Sequence, residues 1–283
     1  MMKEMRVSSP KSIVQLVEAL ASSEGKYLLL AGCTDLLVNM RKHLAGCELL
    51  IDLSGINEMR YIRVEDKDLI IGALTTFTQI TEAGIIREHA LCLAQAAGSV
   101  GSPQIRNRAT IGGNIANGSP AADSVPALLA LDAWIRYIDS EGNTYKAGLE
   151  EFLEKHRGLI KSRHAFIECI GIPLERNRSF SGFKKLGSRS EVSISKLSLA
   201  LAFSADDEGA IGNARLGIGS VGKTAVRIPE AERLMEGRIP DEQLIRELGL
   251  LLSEKMEEML RGRASMPYKK KAVAGLVRDL LEK

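Results

Sequence analysis

Hydrophobic and polar positions alternate along this chain in two distinct rhythms, and the rhythm changes mark its elements. Ile13, Leu16, Val17 and Leu20 recur at helical spacing behind Ser9-Pro10, which predicts a helix with Ser9 as N-cap and Pro10 in its first turn. Residues 27–31 are a short apolar run that leads into Gly32-Cys33-Thr34-Asp35, and 48–53 reads as a second buried strand of the same small α/β lobe. Residues 60–65 and 68–73 alternate about Asp66-Lys67 as a hairpin, and Thr75 or Thr76 caps a helix that runs through Glu82. An Ala-rich helix over 91–100 delivers the chain to a glycine-rich stretch, after which 125–131 is again apolar at helical length. A hairpin over 133–138 and 144–147, turning at 140–143, and a strand over 165–172 follow. Pro173 and the charged run at 175–178 mark a boundary near 175. Beyond it, strands at 179–186, 196–205 and 210–218 precede helices at 230–236, 241–260 and 268–282. Strands followed by helices predict an α+β chain in two domains, 1–175 and 176–283, the first split into a small lobe of about 1–55 and a larger lobe of about 56–175.

Composition narrows the class. The chain has 283 residues, 45% hydrophobic and 26% charged, with a net charge of +2. These values describe a globular protein and supply no broad basic field for nucleic acid or a membrane surface. The N-terminal residues lack the apolar core of a signal peptide, and no run approaches the roughly 20 apolar residues of a membrane span. The expected setting is therefore cytoplasmic. Cys33, Cys47, Cys92 and Cys169 are scattered without a CxxC pair, so neither an iron–sulfur cluster nor a zinc site is expected in this chain.

Candidate chemistry concentrates in 98–131. Thr110-Ile111-Gly112-Gly113-Asn114 combines two glycines, able to reach positive φ, with hydroxyl and amide side chains; exposed backbone amides in such a stretch form a concavity for an anion such as a diphosphate. The plain alternative is a polar connector. Asp123 is placed either to cap the following helix or to accept a hydrogen bond from a ligand. Gln104, Arg106, Asn107 and Arg108 could contact phosphate, but are expected mainly to hold the loop's own carbonyls. Gly32 to Asp35, after a strand, is a second anion-loop candidate or a tight capped turn. Gly217-Ile218-Gly219-Ser220-Val221-Gly222 fits G-x-G-x-x-G, but β-branched residues and Pro229 follow where a dinucleotide fingerprint needs a helix. No Ser/His/Asp or Cys/His arrangement stands out, and no catalytic residue or metal ligand is nominated.

PQIRNRATIGGNIANGSPAADS resembles the flavin loop of the FAD-binding subunits of the xanthine dehydrogenase family, the medium chains of molybdenum hydroxylases. Ala31-Gly32-Cys33-Thr34-Asp35 is similar to the family's first flavin loop, and KLGSRSEVSISKLSLALAF to part of its C-terminal domain. The three elements stand in the family's order over nearly the whole chain. The resemblance implies a two-lobed FAD-binding domain of the vanillyl-alcohol oxidase type, followed by a C-terminal flavoprotein domain of three antiparallel strands and a helical bundle. It implies an FAD-carrying electron-transfer subunit that takes electrons from [2Fe–2S] clusters and passes them to NAD+ or another acceptor. A large partner chain would hold molybdopterin and a small one the clusters. It places FAD against Ala31, Gly32, Cys33, Thr34, Asp35, Thr110, Ile111, Gly112, Gly113 and Asn114, with Asp123 and Lys196 at the flavin's polar parts. The family usually has a second glycine where this chain has Cys33, which sets a thiol beside the expected diphosphate. His43, His89, His156 and His164 all lie outside these loops, so the flavin is expected to be noncovalent. The competing class is a self-sufficient FAD-dependent oxidase or reductase of the same flavin fold. Such an enzyme needs acid/base residues in a substrate domain, and the second domain has no histidine. A nonenzymatic binding module is a third possibility, disfavoured by the two anion-loop candidates.

Overall fold

A computed structural model describes residues 6–23, 26–38, 47–162, 164–174, 178–189 and 192–282. The expected boundary at 175 and His43 lie outside the described residues. By spatial compactness the chain forms two units: one of 1–79, 103–117 and 133–172, the other of 80–102, 118–132 and 173–283. The larger lobe's sequence thus contributes two segments to the unit that holds the C-terminal residues.

The first unit contains two sheets. β1 (Arg6–Ser8), β2 (Tyr27–Leu30) and β3 (Leu49–Asp52) form a small parallel sheet in the order β1-β3-β2. Between β1 and β2 runs the helix Ile13–Ala21, whose Leu16 and Leu20 are buried. Its N-cap is Ser12 rather than the expected Ser9: the Ser12 hydroxyl accepts from the Gln15 amide at 3.2 Å. The sequence offers both serines, and the chain enters the helix three residues later than Pro10 suggests. Ser12→Ala is expected to lower stability by about 1 kcal/mol, the usual cost of a lost cap, whereas Ser9→Ala leaves it unchanged; equal effects in urea unfolding would return the cap to Ser9.

The second sheet holds β4 (Ile62–Glu65), β5 (Asp68–Gly72), β6 (Trp134–Asp139), β7 (Thr144–Gly148) and β8 (Ala165–Pro173), in the order β4-β5-β8-β6-β7. β8 sits at the centre and is almost wholly buried, which accounts for its sequence AFIECIGIP, apolar but for Glu168. The hairpin between β4 and β5 turns at Asp66, one of the few non-glycine residues with positive φ (52°). Arg136 and Glu168, on neighbouring strands, form a bidentate pair at 2.6 and 3.1 Å. The helix Phe77–Glu82 is capped by Thr76, whose hydroxyl accepts from the Gln79 amide at 3.3 Å while the Gln79 side chain accepts from the Thr76 amide at 2.9 Å.

The second unit is built on an antiparallel sheet of β9 (Phe180–Leu186), β10 (Leu197–Ala205), β11 (Ile211–Gly219) and β12 (Val226–Arg227), in the order β12-β11-β10-β9. The short β12 adds a fourth strand to the three expected. Leu199, Leu201, Leu216 and Ile218 pack against Met235, Leu248, Leu252 and Val273 from the helices Pro229–Met235, Glu242–Met259 and Met266–Leu281. The opposite sheet face receives the helix Ser124–Ala130. There Gly217 and Gly219 act as flat positions: a Cβ on Gly217 would stand 2.2 Å from the Pro126 carbonyl oxygen, and one on Gly219 3.3 Å from the Pro126 ring. The G-x-G-x-x-G stretch is thus a packing surface that leads to a two-residue strand, not to a phosphate-binding helix. Among the described residues, no helix is long and apolar enough to cross a membrane.

Candidate functional site

β2 ends at Leu30, and the chain turns at once. Cys33 takes φ 60°, in the left-handed region that glycine occupies without strain, and the Leu37 amide bonds back to the Cys33 carbonyl at 3.2 Å. Residues 34–38 then form a run of turns. The left-handed backbone explains why glycine is usual at the Cys33 position, and the thiol side chain is tolerated there because it leans back towards the Ala31 carbonyl. Among the described residues, no hydrogen bond takes up the main-chain amides of Cys33, Thr34 and Asp35. A left-handed residue followed by a turn with unclaimed amides is the geometry of an anion nest.

The second loop is a correction to the expectation of exposed amides and positive φ. Ile111–Asn117 is a short helix, and neither Gly112 nor Gly113 has positive φ. The amides of Ile111 and Gly112 donate to the carbonyls of Thr75 and Ala73 at 3.1 and 2.9 Å, the Gly113 amide to the Thr110 hydroxyl at 3.2 Å, and the Asn114 amide to the Thr110 carbonyl at 3.0 Å. The glycines serve close approach instead. A Cβ on Gly112 would lie 2.5 Å from the Ala73 Cβ, and one on Gly32 would lie 2.1 Å from the Arg108 carbonyl oxygen. The two loops are thereby drawn together, backbone against backbone. Asn107 ties this segment to the helix Phe77–Glu82 by accepting from the Thr78 hydroxyl at 2.6 Å.

Between the loops lies a cavity of about 570 Å³ within the first unit. Ala31, Gly32, Cys33, Thr34 and Asp35 line one side, and Thr110, Gly112, Gly113 and Asn114 another. Leu28, Met59 and Phe166 supply apolar wall. Gly113 opens directly onto the space: its nearest neighbours to an added Cβ are the Thr110 hydroxyl at 2.8 Å and the Ala31 Cβ at 3.8 Å. Burial pushes the Cys33 thiol up, opposed by the Arg108 guanidinium and reinforced by Asp52, so the thiol stays protonated at neutral pH and adds no negative charge to the site. Unclaimed amides, an apolar end and a side chain-free floor fit a dinucleotide with a diphosphate between two organic groups.

Three expected site residues are not among the cavity-lining residues. Ile111 is fully buried in the core beneath the loop. Asp123 and Lys196 belong to the second unit. Asp123 stands before the helix Ser124–Ala130 but makes no capping bond. Its carboxylate is taken by Ser195, whose hydroxyl donates at 2.5 Å, by Lys185 at 3.0 Å and by Ser99 at 3.4 Å. The lysine that meets Asp123 is thus Lys185, which sequence reasoning passed over, whereas Lys196 is exposed, with its ammonium 5.4 Å from the Tyr268 ring. The only sequence signal for Lys185 was its place in KLGSRSEVSISKLSLALAF. Among the described residues, no group of histidine, cysteine or acidic side chains is arranged to hold a metal ion.

The profile of the FAD binding domain in molybdopterin dehydrogenase matches residues 3–175, and that of the CO dehydrogenase flavoprotein C-terminal domain matches residues 182–283. The chain is 32% identical over 284 residues to the nicotinate dehydrogenase FAD-subunit of Eubacterium barkeri, covering 99% of this chain and 95% of that one. It is 33% identical over 212 residues to the xanthine dehydrogenase FAD-binding subunit of Escherichia coli O157:H7, covering 72% and 70%. Among solved structures it is similar to a chain of the cyanide-inactivated Cu,Mo-CO dehydrogenase, with a TM-score of 0.85, 25% identity and coverage of 100% and 98%.

Proposed function

The chain belongs to the FAD-binding subunits of the molybdopterin dehydrogenases, and from that premise we propose that it is the FAD-carrying electron-transfer subunit of a xanthine dehydrogenase-like molybdenum hydroxylase, with NAD+ or another carrier as acceptor. The observation that supports it most is the cavity between two glycine-tightened loops, one of which presents the unclaimed amides of Cys33, Thr34 and Asp35. In this reading those amides hold the diphosphate of FAD. Thr110, Gly112, Gly113 and Asn114 form the facing wall, Ala31 and Gly32 leave room for the approach, and Ile111 anchors the helix from beneath. The protonated Cys33 thiol lies beside the phosphates without repelling them. Asp123 and Lys196 are not needed for this assignment.

Bound FAD supplies the exchange of electrons between a one-electron donor and a two-electron acceptor. The chain's own residues bind it and orient it, and among the described residues that line the cavity there is no histidine to act as acid or base towards an organic substrate. Oxidation of the substrate therefore falls to a partner chain carrying molybdopterin, and the supply of electrons to a partner with [2Fe–2S] clusters. The nicotinate and xanthine dehydrogenase names of the relatives suggest a nitrogen heterocycle as the substrate class of such a complex.

The test uses the purified full chain. It is expected to show flavin absorption and to release all its colour into the supernatant on acid precipitation, since no histidine among the described residues lines the cavity. Anaerobic NADH or dithionite is expected to bleach it, and nicotinate or xanthine to do so only after the molybdenum and [2Fe–2S] chains are added. Turnover of either substrate by the lone chain would replace the relay with a self-sufficient oxidase. Bleaching by dithionite but not NADH would keep the relay and move the acceptor to another carrier.

A further inference from the structure

Positive charge is concentrated at one place on the second unit. Between residues 259 and 278 stand Arg261, Arg263, Lys269, Lys270, Lys271 and Arg278, with no acidic residue, in a chain whose net charge is only +2. Some of this charge is answered from the helix Glu242–Met259 and the C-terminus: Lys270 pairs with Glu257, near which Arg261 also lies, and Arg278 pairs with Glu242 and Glu282. Arg263, Lys269 and Lys271 have no acidic partner among the described residues. Lys196 joins them from another segment, its ammonium 5.4 Å from the ring of Tyr268.

The cluster is held together by backbone contacts. The Lys269 ammonium donates to the Ser220 carbonyl at 2.5 Å, and the Ser220 hydroxyl donates to the Ser195 carbonyl at 2.9 Å. Segments around 195, 220 and 263–271 therefore meet at one surface. Tyr268 stands in its middle, 47% exposed, with Lys271 three residues on along the same helix face. Burial and the nearby Arg263 charge both hold the Lys269 ammonium below its usual value, a sign of cations crowded without a counterion. Cations in the first turn of the helix Met266–Leu281 also oppose its dipole, and that turn has no acidic residue to offset them.

We infer that the face formed by Tyr268, Arg263, Lys269, Lys271 and Lys196 docks an acidic surface of a partner protein. An exposed tyrosine ringed by Arg and Lys combines the aromatic anchor and the carboxylate-pairing groups typical of protein interfaces. Carboxylates brought by the partner relieve the local repulsion and steer encounter. A continuous polyanion fits less well. Beyond this patch the surface charge is near balance, which provides no track for a phosphate backbone, and Glu257 stands at the rim. This inference does not depend on the FAD assignment.

Two measurements test it. In the complex isolated with its co-purifying chains, zero-length carbodiimide coupling is expected to join Lys271 to an Asp or Glu of another chain. With the full chain alone, poly-L-glutamate is expected to bind with an affinity that falls as salt rises. That affinity should weaken at least about tenfold in Arg263→Glu/Lys271→Glu, the loss expected when two paired charges are reversed, and hold in Arg263→Lys/Lys271→Arg. Both positions are exposed, so an unchanged thermal transition verifies the fold. Coupling at other exposed lysines but not at Lys271, or polyglutamate affinity indifferent to the charge reversal, overturns the inference. So does tighter binding of a duplex DNA 20-mer, or of phosphatidylglycerol vesicles, through the same residues.

Discussion

Gly113→Trp protein is expected to fold and to carry no FAD. Gly113 lies on the cavity wall, and only the Thr110 hydroxyl and the Ala31 methyl come within 4 Å of a Cβ built there. The hydroxyl can turn aside, so the backbone accepts the substitution, and the indole then occupies the space that lies between the loops. Filling it removes room for the diphosphate rather than a single contact, and the expected loss is at least two decades of affinity, about 2.8 kcal/mol. Gly112→Ala and Gly32→Ala behave differently. The added methyl group on Gly112 meets the Ala73 Cβ at 2.5 Å and the Ala73 carbonyl oxygen at 2.8 Å, and that on Gly32 meets the Arg108 carbonyl oxygen at 2.1 Å, neighbours with no rotatable bond to turn aside. Those variants are expected to lose stability by about 1–3 kcal/mol, as overpacked positions do, with flavin lost only in proportion to unfolding. The measurement is the flavin-to-protein absorbance ratio beside the thermal transition for all three. Stoichiometric FAD in folded Gly113→Trp would remove the cavity as the flavin site.

Most strands and helices were legible because each obeys one period. The centre of β10, SLALAF, read as a strand though it does not alternate, because helices cover both faces of its sheet and leave no polar side. The glycine pair was legible as a special place but not as a special geometry. A glycine needed for positive φ and one needed for close approach leave the same letter in the sequence, and only the carbonyl of Arg108 and the methyl of Ala73 tell them apart. The converse holds for Cys33, which adopts the left-handed backbone without being a glycine. In the proposed FAD site the emphasis therefore shifts from the second loop, whose amides are spent within the protein, to the first, whose amides have no partner among the described residues. Long side chains were the least legible. Lys185 reaches Asp123 across 62 residues of sequence, and nothing in local pattern separates it from Lys184, which points to solvent.

The Lys185–Asp123 pair carries the largest stability effect expected outside the cavity. Asp123 is 5% exposed, and its partner's ammonium donates to the Asp123 carboxylate, the Ser99 carbonyl and the Ser193 carbonyl at 3.0, 2.7 and 3.2 Å. Burial nonetheless pushes the Asp123 carboxyl above its ordinary value, outweighing the pull of Ser195, Lys185 and Ser99. An acid whose folded pKa is raised holds its proton in the native state at a pH where the unfolded chain has lost it. Its contribution to stability is therefore present below the ordinary carboxylate pKa and is lost as pH rises through the folded value. Lys185→Met removes the cation that pairs with Asp123 and leaves a buried carboxylate without it. The expected cost at pH 7.5 is about 3–5 kcal/mol. With its cation gone, the carboxyl rises further, so acidification towards pH 5 protonates it in the folded state and the deficit shrinks. Asp123→Asn/Lys185→Met is expected to cost less than Lys185→Met alone at pH 7.5, because no charge is then stranded. Urea unfolding followed by circular dichroism at both pH values measures the difference. A Lys185→Met deficit equal at pH 7.5 and pH 5 would show that lost packing of the lysine stem, and not the stranded Asp123 charge, sets the cost.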